Sequence, residues 1–114
     1  MAESPLTKTE RLCAVTDVTN GGAHEVVAHV DGSMESLIVL RRDESVRVFY
    51  NVCPHAGRRL DWSPGRFMID PPFLVCAAHG ACFSMPDGLC VSGPCRGQSL
   101  SEVTAQVREG AIFV

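Results

Sequence analysis

No run of about 18 apolar residues, the length a helix needs to cross a bilayer, occurs anywhere in this 114-residue sequence. The first ten residues, Met1 to Glu10, are polar and hold no apolar signal core. Positive charge is also scarce. Ten Lys and Arg stand against 13 Asp and Glu, the net charge is −3, and no polybasic stretch is present. Nucleic acid and anionic membrane are therefore not expected as partners, and the chain is read as cytoplasmic and unanchored, acting on soluble proteins. Repeats, low-complexity tracts and linkers are missing too. A chain of this length is expected to form one domain, 1–114, with no room for a separate substrate-binding catalytic domain.

Long segments of 3.6-residue periodicity are likewise absent, which leaves strands as the main element. Apolar and polar residues alternate, with β-branched enrichment, around Leu12 to Val15, Glu25 to Val30, Ser36 to Leu40, Val46 to Tyr50, Phe73 to Val75, Val103 to Val107 and Ala111 to Val114. Turn residues separate them, at Asn20-Gly21-Gly22, Asp31-Gly32-Ser33, Ser63-Pro64-Gly65, Asp70-Pro71-Pro72, Pro86-Asp87-Gly88 and Glu109-Gly110. Arg41 to Ser45 reads as a plain polar connection. The fold class is all-β, a small antiparallel barrel or sandwich.

Against that background, six cysteines and four histidines in 114 residues form one conspicuous pattern. Cys53-Pro54-His55 and Cys76-Ala77-Ala78-His79 each pair a cysteine with a histidine, and twenty residues separate the pairs. This C-x-H-x20-C-x2-H order presents the donors of a Rieske-type [2Fe–2S] centre, in which two imidazoles replace two thiolates on one iron. Neutral imidazoles make such a site less negative and easier to reduce. The C-x-H pair suits an extended segment, where residues i and i+2 share a face, and the longer C-x2-H pair suits a turn. The rival reading is a structural Cys2His2 zinc site. Zinc motifs usually put two to four residues between paired ligands, so one residue between Cys53 and His55 is tight for that metal.

The segment after the second pair carries a family resemblance. His79-Gly80-Ala81-Cys82-Phe83, then Asp87-Gly88, Gly93-Pro94 and Leu100 match the HGxxF…G…GP…L order of Rieske-type ferredoxins and Rieske domains, from about Val48 to the C-terminus. Before Val48 only the strand rhythm matches. The chain is similar to the small ferredoxins that feed multicomponent oxygenases. The resemblance implies the Rieske iron–sulfur fold, with a cluster-binding lobe at about 51–98 and a basal lobe built from the flanking strands. It also implies one [2Fe–2S] cluster, with Cys53 and Cys76 on one iron and His55 and His79 on the other. The function implied is one-electron transfer from a flavin-dependent reductase to a terminal oxygenase, with no substrate conversion by the chain alone. Two other readings stay open, a small Rieske subunit tightly bound in an oxygenase or reductase complex, and a non-redox metal-binding or sensor module.

The same resemblance gives meaning to single positions. High-potential relatives join two extra loop cysteines at the positions of Arg58 and Ala78, and place a serine at the position of Ala81. Neither feature can form here, which implies a potential at the low end of the Rieske span, roughly −150 mV. Gly80 would let backbone amides approach the cluster sulfurs, and Gly93-Pro94 would form a loop that shields the cluster. Arg58, Arg59, Arg66 and Arg96 are expected either to rim the cluster edge or, for Arg59, to pair with Asp61. Trp62 is expected to pack under the first loop, and His24 and His29 to lie at or near the surface without a metal role. Cys13, Cys82, Cys90 and Cys95 are expected to be buried or idle thiols; a redox-sensitive Cys90–Cys95 pair is the lesser alternative, since C-x4-C is not the spacing of a thiol oxidoreductase.

Overall fold

A computed structural model describes residues 8–54 and 57–114. Among these residues there are eleven strands: β1 (Arg11–Ala14), β2 (Ala23–Val30), β3 (Ser33–Arg42), β4 (Ser45–Tyr50), β5 (Met68–Asp70), β6 (Phe73–Val75), β7 (Cys82–Ser84), β8 (Cys90–Ser92), β9 (Glu102–Val103), β10 (Gln106–Arg108) and β11 (Ala111–Phe113), with one 3-10 turn at Val15–Asp17. They form three antiparallel sheets, in the orders β1-β11-β10, β2-β3-β4-β9 and β5-β6-β7-β8. The all-β class is as expected. No described helix is long and apolar enough to cross a membrane.

The sheet of β2, β3, β4 and β9 divides the interior. Leu37, Ile38, Val39 and Leu40 on β3 are all fully or almost fully buried, and such a continuous apolar run is what a strand covered on both faces requires. Ile38 and Leu40, with Phe49 of β4, join a core that contains Leu60, Leu74, Phe83, Cys53 and Cys76. Leu37, Val39 and Val48 face the other way, onto Leu12, Val18, Ala28 and Ile112. Alternation on two neighbouring strands therefore serves two cores at once.

Register brings the loops of the third sheet to one end. Val75 pairs with both Met68 and Cys82, and Cys82 pairs with Ser92. The segment entering β5, the connection from β6 to β7 and the segment leaving β8 consequently emerge side by side. These are the regions that hold Cys53, the Cys76–His79 pair and the Gly93-Pro94 turn.

Four sequence expectations need correction. The strand expected over Val103 to Val107 is two strands, because β9 pairs with β4 whereas β10 pairs with β11. Strands β5, β7 and β8 lie where none was expected, each three residues long and set among turns. Most of Arg41 to Ser45 is not a plain connection but the tight end of the β3–β4 hairpin, where Arg42 pairs with Ser45. Trp62 does not pack under the loop, since it is 59% exposed and the Arg66 guanidinium lies 5.8 Å from its ring centre.

Candidate metal centre

Both cysteines of the pattern open the same kind of turn. The Gly57 amide donates to the Cys53 carbonyl (2.8 Å) and the Cys53 amide to the Arg58 carbonyl (2.7 Å). In the second loop the Gly80 amide donates to the Cys76 carbonyl (2.8 Å) and the Cys76 amide to the Ala81 carbonyl (2.8 Å). The offsets, four and five residues from each cysteine, are identical. These bonds close the ends of the first loop on each other, while the extended C-x-H segment expected there runs to His55, outside the described residues. One further bond, from the Ala77 amide to the Leu60 carbonyl (3.0 Å), ties the loops together.

The two turns bring the cysteines into contact. Cys53 is 1% exposed and Cys76 is fully buried, with their thiols within hydrogen-bonding reach of each other. Burial pushes the Cys76 thiol pKa up. The amides of Ala78 and His79 lower it by hydrogen bonding, while the Cys53 thiol raises it again, and the net shift is upward. The Gly80 amide is taken by the turn, so the backbone donors to this sulfur come from the two residues before it. His79 is exposed at the end of the same turn. His55 lies outside the described residues. His24 is half-buried and His29 exposed on β2, away from both turns in sequence.

A polar network that sequence reasoning did not find anchors the first loop to the basal sheet. Asn51 is the one polar residue among the described residues that is buried as a whole. It accepts from the Leu60 amide (2.8 Å) and donates to the Ser36 hydroxyl (3.2 Å), which in turn donates to Glu25 (2.6 Å). Arg59 donates to the same Glu25 carboxylate (2.7 Å) and grips Asp61 with two nitrogens (3.0 and 2.7 Å). Arg59 is thus a staple between the loop and β2, as one of its two expected roles held, whereas Arg58, Arg66 and Arg96 are exposed. The only local signal was a polar residue between an apolar strand and Cys53; its partners are remote in sequence.

Asp61 gives this network a pH dependence. Its side chain is 2% exposed. Burial favours the neutral acid, but hydrogen bonds from Arg59, the Gly65 amide and Asn51 outweigh it and hold the pKa below the usual carboxylate value. A depressed folded-state pKa contributes stability above the unfolded value of about 3.9, and that contribution is lost as pH falls through the folded value. Asp61→Asn is accordingly expected to cost about 1–3 kcal/mol at pH 7 and to flatten the loss of stability below about pH 4. Urea denaturation of both proteins at neutral and acid pH measures the difference, and equal acid sensitivity would show that Asp61 is not the group responsible.

The profile of the Rieske [2Fe-2S] domain family matches residues 8–108. The chain belongs to the Rieske [2Fe-2S] domain family. No curated protein sequence matches it. Among solved structures it is similar to a ferredoxin of Sphingomonas yanoikuyae B1, at 24% identity over 95% of this chain and 97% of that one, with a TM-score of 0.71. A second similar structure is the ferredoxin of carbazole 1,9a-dioxygenase from Nocardioides aromaticivorans IC177, at 23% identity over 94% and 95% of the two chains, with a TM-score of 0.71. The terminal oxygenase of carbazole 1,9a-dioxygenase from Novosphingobium sp. KA1 also shares the fold, at 18% identity over 90% of this chain but 28% of that one, with a TM-score of 0.72.

The two ligand turns fit the [2Fe–2S] cluster of this Rieske family. Two buried cysteine sulfurs in contact, backbone amides directed at one of them, and a histidine exposed at the end of that turn form a soft and borderline donor set open on one side.

Proposed function

We propose that this Rieske protein is a soluble, cytoplasmic one-electron carrier that accepts electrons from a flavin-dependent reductase and passes them to a terminal oxygenase. The observation that carries this reading is the pair of matching turns, which bury Cys53 and Cys76 in contact while leaving His79 at the surface. Cys53 and Cys76 would hold one iron of the cluster, and His55 and His79 the other. The cluster supplies the one-electron chemistry. The chain's part is to bind and tune it: the cysteine turns exclude water from the sulfur side, and the histidine side faces a docking partner. The solved structures of similar fold include complexes of oxygenase and ferredoxin in carbazole 1,9a-dioxygenase, which supports an oxygenase as partner.

Ala81 is fully buried and carries no side-chain donor, and Arg58 and Ala78 do not permit a loop disulfide. Both features support a potential near the low end of the Rieske span, about −150 mV. A midpoint clearly above zero, measured by spectroelectrochemistry, would show that backbone donors and burial outweigh them.

Docking supplies the functional test. With Arg59 tied to Glu25 and Asp61, the cations left to steer an acidic partner are Arg58, Arg66 and Arg96. Screening acts over about 8 to 10 Å at moderate salt, so stopped-flow electron transfer should slow as salt rises. Arg58→Glu with Arg96→Glu should slow it by about tenfold or more at low salt and leave the spectrum unchanged. A rate indifferent to salt and to both reversals would put docking on another face. Failure to exchange electrons with any reductase or oxygenase would end the carrier reading.

A further inference from the structure

Cys90 opens β8, and Cys95 lies just beyond the Gly93-Pro94 turn. Both are 1% exposed, yet their sulfurs stand 3.0 Å apart with the Cys95 thiol donating to Cys90. The Cys90 thiol donates onward to the Ser92 carbonyl (3.3 Å). The pair is therefore within about 1 Å of the bond length of a disulfide, ~2.05 Å. Cys95 is also within hydrogen-bonding reach of the Cys53 thiol, so the chain of sulfurs runs from Cys90 through Cys95 to the cysteine assigned to iron. A thiol of ordinary acidity, about 8.5, is protonated at neutral pH, so Cys95 has a proton to donate.

We propose that Cys90 and Cys95 are a reversible dithiol–disulfide pair whose state decides whether the Cys53 sulfur receives a hydrogen bond, and thereby sets the cluster potential. The proposal rests on the electron-carrier reading above, in which Cys53 is an iron ligand. In the dithiol state the single Cys95 proton, directed at Cys90 in this structure, can turn to the Cys53 thiolate of the loaded protein, an anionic sulfur being a stronger acceptor than a neutral one. Hydrogen bonds to cluster sulfurs stabilise the reduced, more negative state and raise the potential. In the disulfide state Cys95 has no proton to give, and the potential falls.

The oxidant is a small-molecule disulfide of the glutathione class. Val91, Ser92, Gly93 and Pro94 are all exposed, and opening of this turn gives access to Cys90. The Cys90 thiolate attacks one sulfur of the small disulfide, breaking its S–S bond and releasing one small thiolate. Cys95 then attacks the Cys90 sulfur of the mixed disulfide, forming the Cys90–Cys95 bond and releasing the second small thiolate. The two protons lost by the cysteines end on the two small thiols, and two electrons pass from the protein pair to the small disulfide.

The test uses the cluster-loaded full chain, equilibrated across ratios of glutathione to glutathione disulfide. One portion is acid-quenched, alkylated and read by peptide mass, and the other gives the midpoint potential. At high disulfide the peptides holding Cys90 and Cys95 should be unalkylated and lighter by two hydrogens, and the midpoint should move down, with both changes reversed by a dithiol reductant. Cys95→Ala should reproduce the lowered midpoint without oxidant, Cys95→Ser should restore it through its hydroxyl donor, and neither should respond to the ratio. Cys13→Ser should respond as the wild type does. Full alkylation of Cys90 and Cys95 at every ratio with the cluster spectrum intact would overturn the proposal, as would a disulfide that leaves the midpoint unmoved. A protein that shows no cluster spectrum before any oxidant is added is the separate failure of the carrier reading, and the tuning proposal falls with it.

Discussion

Cys76→Ala, expressed with iron supplied, is expected to emerge colourless, with essentially all of the wild-type visible absorbance and bound iron lost. Cys76 is fully buried, its sulfur receives the Ala78 and His79 amides, and it lies against Cys53. Removing it takes away one of the four proposed ligands and the sulfur that those amides are set to meet, and no other side chain in the turn from Ala77 to Ala81 offers a thiolate. The variant should still fold, because the second core, around Leu37, Val39, Val48 and Ile112, contains neither ligand loop. Its stability should nonetheless fall, since metal binding that joins two loops is also folding free energy. Iron analysis and the visible spectrum measure the first effect, and denaturation the second. Cys53→Ala should behave alike, and Cys13→Ser should keep the cluster. Wild-type iron and absorbance in both ligand variants would mean that other residues hold the metal.

The next largest effect is expected at Gly93. Its φ is +102°, and a Cβ there would come within 2.8 Å of the Ala81 Cα, a backbone atom that cannot swing aside. Gly93→Ala therefore combines a left-handed backbone penalty of about 1–2 kcal/mol with overpacking of about 1–3 kcal/mol. The loop is pushed off the end of the second ligand turn, where the Ala81 carbonyl accepts from the Cys76 amide. Cluster loss in the presence of a chelator should accelerate by about tenfold or more, each ~1.4 kcal/mol being a factor of ten. Gly97→Ala separates the two contributions, because Gly97 has φ +92° but open space around a Cβ. It should show only the smaller, conformational part. Equal rates of cluster loss in the two variants would show that the contact between Gly93 and Ala81 does not protect the site.

The features behind these two effects differ in how far they could be read from sequence. The grouping of Cys53 with Cys76 was legible, because donor types at fixed spacing are local information. The β2, β3 and β4 strands were legible too, since alternation and a doubly buried Leu37–Leu40 run leave a strong pattern. Strands β5, β7 and β8 were not, because three residues between Gly and Pro turns give too little pattern to register, and their pairing depends on neighbours brought in by the fold. The split of Val103 to Val107 is similar: Val103 and Gln106, three positions apart, pair with different sheets. Within the site, the equivalence of the two turns was hidden by the unequal Cys–His spacing, while the backbone bonds depend on distance from the cysteine alone. Arg59 with Glu25, Asn51 with Ser36, and Cys95 with Cys53 join residues 34, 15 and 42 positions apart. A single sequence carries no mark of such contacts.

Whether two cysteines and two histidines together hold one cluster is decided by electron paramagnetic resonance of the dithionite-reduced, purified protein. The expected sample is red-brown, with two irons and two inorganic sulfides per chain. Its spectrum should be a rhombic signal of low average g, with nitrogen hyperfine couplings from two imidazoles that disappear in His55→Ala and His79→Ala but persist in His24→Ala and His29→Ala. A colourless protein that binds one zinc per chain under iron-replete expression, or a reduced cluster without imidazole nitrogen coupling, would contradict this assignment.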